Sequence, residues 1–217
     1  MKTEIIPTVF AYDKKEFDER YNILIKISRK LQIDFMDGKL VSSSGVKLKE
    51  IEGLHKGIFF EAHLMVRNPE KWIGECKKKG FKKILFHYES SKNLMKLQRV
   101  VEYTHRNKMQ AFITFNPETK IDKIVDCVSF LKNLEGVMLM GVHPGKEHQS
   151  LDKNIFSRLK ELRKKFPKIT LQVDGGTNDK NVSGIAKAGA NIINTGSFVA
   201  SAENPKNALN ILKENIK

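Results

Sequence analysis

Cysteine, arginine and long apolar runs are all scarce in this chain of 217 residues. Two cysteines, Cys76 and Cys127, are too few for a disulfide framework or a cysteine-rich zinc site. Both fall in helix-like stretches, so buried or half-buried free thiols in a reducing, cytoplasmic compartment are expected. No apolar run approaches the ~18 residues that cross a bilayer, and no membrane association is expected. Met1-Lys2-Thr3-Glu4 runs straight into a strand-like segment without a signal-peptide pattern, so secretion through a leader is not expected either. Neither G-x-G-x-x-G nor G-x-x-x-x-G-K-[ST] occurs, which argues against a dinucleotide fold and a P-loop.

The charge is one-sided. Lys and Arg number 39 against 25 Asp and Glu, a formal net charge of +14. Yet 32 of the basic residues are Lys and only 7 are Arg, whereas phosphate and base recognition favour the Arg fork. The lysines are spread along helix-like stretches such as Lys77-Lys78-Lys79, with no zinc-finger spacing and no basic–aromatic interleaving. Most of this charge reads as a solvated outer face, and no specific nucleic-acid partner is expected. Attraction of small anions is compatible with it.

What is present is a regular alternation. The composition, 40% hydrophobic and 29% charged, is that of a globular chain. Strands are expected at Ile5–Val9, Leu31–Phe35, Phe59–Met65, Lys83–His87, Met109–Phe115, Gly136–Met140, Thr170–Val173 and Asn191–Asn194. Between them helices are expected near Lys14–Arg29, Lys47–His55, Pro69–Lys79, Asn93–Asn107, Lys120–Leu131, Asn154–Phe166, Asn178–Ala188 and Pro205–Ile216. Eight strands, each followed by a helix, predict a (β/α)8 TIM barrel, in the α/β class, filling residues 1–217 as a single domain. No linker or composition break divides it.

Barrels of this kind carry their chemistry at the carboxyl ends of the strands. Period-two alternation puts Gln32, Asp34 and Met36 on one face of the second strand. His63 and Met65 share a face of the third strand, Met138 and Met140 of the sixth, and Gln172 and Asp174 of the seventh. A carboxylate in such apolar surroundings needs a metal, a cation or a catalytic purpose. Strands 2 and 7 lie three steps apart around the ring, roughly 135°, so Asp34 and Asp174 could face each other across a small substrate. Two carboxylates on opposite sides of one carbon can take a proton from one face and return it to the other. His63 could join them around a divalent cation that stabilises an enediolate. The competing reading is that each Asp merely caps a loop. Gly175-Gly176 and Gly196-Ser197, after strands 7 and 8, suit a phosphate held by backbone N–H groups, although tight turns use the same residues. His55 and His105 read as surface residues in helical stretches, and His87 is open to either a site-supporting or a structural role.

Ile33-Asp34-Phe35-Met36-Asp37-Gly38, His63-Leu64-Met65-Val66, Phe86-His87-Tyr88-Glu89, Asn116-Pro117, Val142-His143-Pro144-Gly145, Val173-Asp174-Gly175-Gly176 and Thr195-Gly196-Ser197 follow one another in order. In this set, and nearly end to end, the chain resembles the ribulose-phosphate 3-epimerases. The resemblance implies inversion of C3 between D-ribulose 5-phosphate and D-xylulose 5-phosphate. It implies Asp34 and Asp174 as the acid/base pair, and Asp34, His63, Asp174 and the residue at 32 as ligands of a divalent cation: Zn, Fe, Mn, Co or Mg. Thr8, Met36, His63, Met65, Met140, Gly145, Gly175, Gly176, Gly196 and Ser197 would contact the substrate. For each Met, simple core filling is the competing reading. The partner implied is a small phosphorylated ketose, with a homo-oligomer left open.

Four departures stand out. The family's His two residues before the first catalytic Asp is Gln32 here, so metal affinity should fall or move toward harder ions. The family's Ser after the first-strand Pro is Thr8, which keeps the hydroxyl. The Gly-rich loop after strand 6 becomes Gly145-Lys146-Glu147-His148-Gln149, where Lys146 could supply charge. The loop after Met36-Asp37-Gly38 reads Lys39-Leu40-Val41-Ser42-Ser43-Ser44 without the usual Pro-Asn. Another phosphorylated ketose, such as a ketohexose 6-phosphate, and a non-catalytic phosphosugar-binding barrel are the alternatives. The related decarboxylases and hexulose-phosphate synthases use an Asp-x-Lys-x-x-Asp array, and Asp34-Phe35-Met36-Asp37 lacks its Lys.

Overall fold

The computed structural model describes residues 3–217; Met1 and Lys2, the start of the N-terminus read above as leaderless, lie outside the described residues. Eight parallel strands close into a barrel in sequence order. They are β1 (Glu4–Val9), β2 (Lys30–Met36), β3 (Phe59–Met65), β4 (Lys83–His87), β5 (Gln110–Phe115), β6 (Gly136–Met140), β7 (Thr170–Asp174) and β8 (Ile192–Thr195). Around them run α1 (Lys14–Ile27), α2 (Glu70–Lys79), α3 (Leu94–Arg106), α4 (Ile121–Phe130), α5 (Ile155–Lys165), α6 (Val182–Lys187), α7 (Ser197–Ala200) and α8 (Pro205–Glu214). Local chemistry sets several ends. Asp13 accepts the Glu16 N–H to cap α1, Asn93 accepts the Lys96 N–H to cap α3, and Asn204 caps α8 just before Pro205.

The alternation within each strand divides two environments. On β2, Leu31, Ile33 and Phe35 face the helices and are fully buried with Phe60, Phe81, Phe86 and Phe115 in the shell between barrel and helices. Each such Phe contributes about 2–3 kcal/mol of apolar burial. Gln32, Asp34 and Met36 take the other face, inside the barrel. Register then aligns the interior: Gln32 lies beside Glu61, Asp34 beside His63, Met36 beside Met65, and Met140 beside Asp174. Cys76 in α2 and Cys127 in α4 are buried free thiols. Among the described residues no helix is long and apolar enough to cross a membrane.

Two expectations about helices fail. The helix over Lys47–His55 does not form; only a single 3₁₀ turn, Leu48–Glu50, lies between β2 and β3. Leu48, Ile51 and Leu54 mimic a helical stripe, but the chain is pinned extended at the barrel rim. Gly45 N–H bonds to Met36 O and Val46 N–H to Ala11 O, and Gly53 and Gly57 follow without a cap. A helix therefore does not follow every strand, and His55 sits in an exposed loop, its N–H donated to the Tyr21 hydroxyl. The helix over Asn178–Ala188 shortens to α6, because the Asn178 side chain accepts the N–H groups of Lys180 and Asn181 and holds a turn. The four-residue α7 had no counterpart in the sequence reading.

Candidate active site

The barrel floor is polar. Glu61 and Lys83, 0% and 3% exposed, pair at 2.6 Å, with the Lys83 ammonium 4.2 Å from the Phe112 ring centre. Lys83 Nζ donates to Gln172 Oε1 (3.2 Å), while Gln172 Nε2 donates to Glu61 Oε1 (2.7 Å) and Asn194 Oδ1 (2.7 Å). An ammonium only donates and a carboxylate only accepts, so this pair fixes which way the Gln172 amide points. Gln172 Nε2 in turn faces Gln32 Oε1 at 3.5 Å. Gln32 therefore turns its Nε2 upward, donating to Asp34 Oδ1 (2.9 Å) and Asp174 Oδ2 (2.7 Å).

Above this floor β2, β3 and β7 bring Asp34, His63 and Asp174 together. His63 Nδ1 lies 3.1 Å from Asp34 Oδ1 and 3.3 Å from Asp174 Oδ2. Burial pushes the Asp34 carboxyl up to about 6, opposed by the charge and hydrogen bond of His63. Burial would lower His63, but the Asp34 charge and the hydrogen bonds of both carboxylates hold its imidazolium up to about 9. In the absence of a cation, a proton on Nδ1 thus ties the carboxylates together.

A second layer orients His63. His87 Nδ1 faces two acceptors, Asn116 Oδ1 at 3.0 Å and Glu89 Oε2 at 3.4 Å, which puts its proton on that nitrogen. Its Nε2 is then an acceptor for His63 Nε2–H, 2.9 Å away. Burial lowers the pKa of His87, keeping it neutral. Glu89 is held low despite burial by bonds from His87, Thr119 and the Asn116 N–H. His63 Nδ1 is left pointing at the carboxylates.

The donor set fits a divalent cation. The three ligand atoms lie within 4.8 Å of one another, and all three residues are buried. Separations of 3.1 and 3.3 Å are close to the ~3.3–3.5 Å edge of a tetrahedral site with bonds of about 2.0–2.1 Å. Two carboxylates and one imidazole suit Zn, Fe, Mn and Co, and the carboxylates also suit Mg.

The cleft above, of about 270 Å³, is lined by Thr8, Asp34, Met65, Met140, Asp174, Gly145, Gly175, Gly176, Gly196 and Ser197. His63 and Gln32 lie beneath it, fully buried. Met36 does not line the cleft; it packs with Phe10, Met65 and Val41. Gly176 adopts φ +72°, and a Cβ there would stand 2.8 Å from the Leu151 backbone, so this glycine is required by packing as well as by its conformation. Asp37 serves structure: it accepts N–H bonds from Lys39, Leu40 and Arg67, which tie the loops after β2 and β3 and outweigh its partial burial to lower its pKa. His105 is a surface residue paired with Glu135.

Sequence reasoning missed Glu61, Lys83, Glu89 and Asn116 as members of this network. Glu61 had a readable signal: it precedes His63 by two and shares its strand face. Glu89 and Asn116 stood in the matched motifs Phe86-His87-Tyr88-Glu89 and Asn116-Pro117, but strand alternation could not join them to His87, since the segments after β4 and β5 bring them there.

A closed (β/α)8 barrel that gathers two carboxylates and an imidazole beneath a glycine-walled cleft is an enzyme scaffold of the barrel class. The model of the ribulose-phosphate 3 epimerase family matches residues 4–200, and the chain belongs to that family. It is an isomerase, a carbohydrate-phosphate epimerase. It is 28% identical to the ribulose-phosphate 3-epimerase of Eremothecium gossypii, covering all of this chain and 94% of that protein. The cytoplasmic isoform from Oryza sativa subsp. japonica is 26% identical, covering 99% and 94%. Among solved structures, the 3-hexulose-6-phosphate synthase of Salmonella typhimurium superposes with a TM-score of 0.74 at 10% identity, covering 99% of this chain and 98% of that one; this likeness is one of fold.

Proposed function

We propose that the chain inverts C3 of D-ribulose 5-phosphate to give D-xylulose 5-phosphate, with residues 1–217 acting as one ribulose-phosphate-binding domain. The observation that carries this reading is the meeting of Asp34 and Asp174, from strands three places apart, on one imidazole nitrogen and one amide nitrogen. One carboxylate takes the C3 proton, made acidic by the C2 carbonyl, and an enediolate forms. The other, reaching C3 from the opposite face, returns a proton and completes the inversion. Asp34, His63 and Asp174 would hold the divalent cation, which when bound supplies positive charge beside the oxygens where negative charge develops. Gln32 acts as a hydrogen-bond donor that spaces the two carboxylates rather than as a fourth ligand.

Backbone N–H groups of Gly175-Gly176 and Gly196-Ser197 receive the phosphate, and Thr8, Met65 and Met140 bound the sugar. A cytoplasmic location belongs to this reading; the name of the rice relative and the two free thiols support it. Incubation in D2O with D-ribulose 5-phosphate tests the reaction: deuterium should enter at C3, and Asp174→Asn should abolish formation of D-xylulose 5-phosphate while leaving the barrel folded. Absence of exchange with each of Zn²⁺, Fe²⁺, Mn²⁺, Co²⁺ and Mg²⁺ would overturn the proposal.

A further inference from the structure

The phosphate end of the cleft already holds an anion, and it belongs to the chain. Glu147, in the loop after β6, turns its side chain inward until only 11% of it is exposed. Its Oε2 pairs with Arg20 Nη1 of α1 at 2.7 Å, while its Oε1 is buried without a hydrogen-bond partner. Oε1 lies 3.3 Å from where a Cβ on Gly196 would stand, so the carboxylate fills the space that this glycine leaves open. The loop is fixed in this shape. Gln149 Nε2 donates to the carbonyls of His143 and Lys146, and His148 takes a left-handed φ of 57°. A half-satisfied buried carboxylate is costly, and among so many lysines an exposed position was freely available to it. Its place beside Gly196 needs a reason.

We propose that Glu147 is an internal stand-in for the substrate's phosphate. Its carboxylate occupies the phosphate end in the free protein and leaves when a phosphorylated ligand seats, passing Arg20 from carboxylate to phosphate. This rests on the phosphosugar reading above. An anion at the carboxylate's position is already within hydrogen-bond distance of Arg20. Glu147 cannot stay beside it, because two anions in a half-buried cleft repel strongly. Arg20 is restrained meanwhile by Glu16, one turn earlier on α1, at 2.7 Å.

Calorimetric titration with inorganic phosphate tests this without requiring turnover. Glu147→Gln should bind phosphate at least about fivefold more tightly than wild type, with the gain shrinking as salt rises. Glu147→Ala should behave likewise, and melting curves check that both variants fold. Glu16→Gln removes the same charge near Arg20 without vacating the cleft and should gain less than about twofold. Adding Arg20→Gln to Glu147→Gln should undo the gain. Unchanged or weaker binding by both Glu147 variants overturns the proposal, as does an equal gain from Glu16→Gln. A double variant that binds like Glu147→Gln overturns the transfer of Arg20. Since inorganic phosphate is not turned over, failure of deuterium exchange with the ketose would refute the epimerase reading and leave this result standing.

Discussion

His63 Nε2 and His87 Nε2 lie 2.9 Å apart in rings inclined by 17°, so a single proton serves both nitrogens. His87 accepts that proton because its other nitrogen is committed to Asn116 and Glu89. The result is a fixed tautomer for His63, with Nδ1 aimed between the carboxylates. His87 is thus a positioning residue. His87→Phe should weaken divalent-cation binding by roughly ten- to a hundredfold, the usual effect of losing a partner behind a ligand. His87→Gln, which keeps an acceptor, should recover much of it. Titration with Mn²⁺ reads both variants.

Gln32→His should raise affinity for Zn²⁺ by at least about tenfold over wild type while changing Mg²⁺ little, because imidazole is the ligand that zinc prefers. Competition with a chromogenic chelator measures it. An unchanged ratio of the two ions would show that position 32 does not reach the cation.

Without a cation, stability should fall as pH rises above neutrality. Against burial, the Asp34 charge and the two carboxylate bonds raise His63 to about 9 in the folded protein, compared with 6.5 for a free imidazole. A pKa raised by folding gives stabilisation that is complete below about pH 6.5 and lost as pH climbs through about 9. A cation that takes Nδ1 displaces that proton and should bind more tightly as pH rises. Melting temperatures in chelator should therefore drop between pH 6.5 and 9, and saturating cation should flatten the curve. A flat profile in chelator would contradict this.

Lys83→Met should cost about 3–5 kcal/mol, because Glu61 is left charged and buried with no other cation at its Oε2. Pairing it with Glu61→Gln should return a large part of that loss. Urea unfolding of the single and double variants measures both.

How far the site could be read from sequence depended on strand periodicity. Alternation placed Asp34, His63 and Asp174 inside the barrel because a strand's period of two leaves little freedom. The same rule brought Gln32 and Gln172 to that face, but not the direction of their amides, which the Glu61–Lys83 pair decides from across the barrel. The Lys47–His55 stripe misled because apolar spacing of three also suits a loop anchored at intervals. Glu147 stood in the altered loop after strand 6 with no role of its own legible; only the packing of α1 against that loop brings Arg20 to it.

The stretch between β2 and β3 gives the barrel one wall without a helix. Val46, Leu48, Ile51 and Ile58 cover it as separate anchors, joined by chain that obeys no helical register. Insertions and replacements between those anchors disturb little else, since a longer loop adds only a small closure cost. Lys39–Ser44 begin this same stretch, and Val41 among them packs on Phe10 and Met65, which line the cleft, so changes there can reshape the cleft while the strands that carry Asp34 and His63 stay as they are.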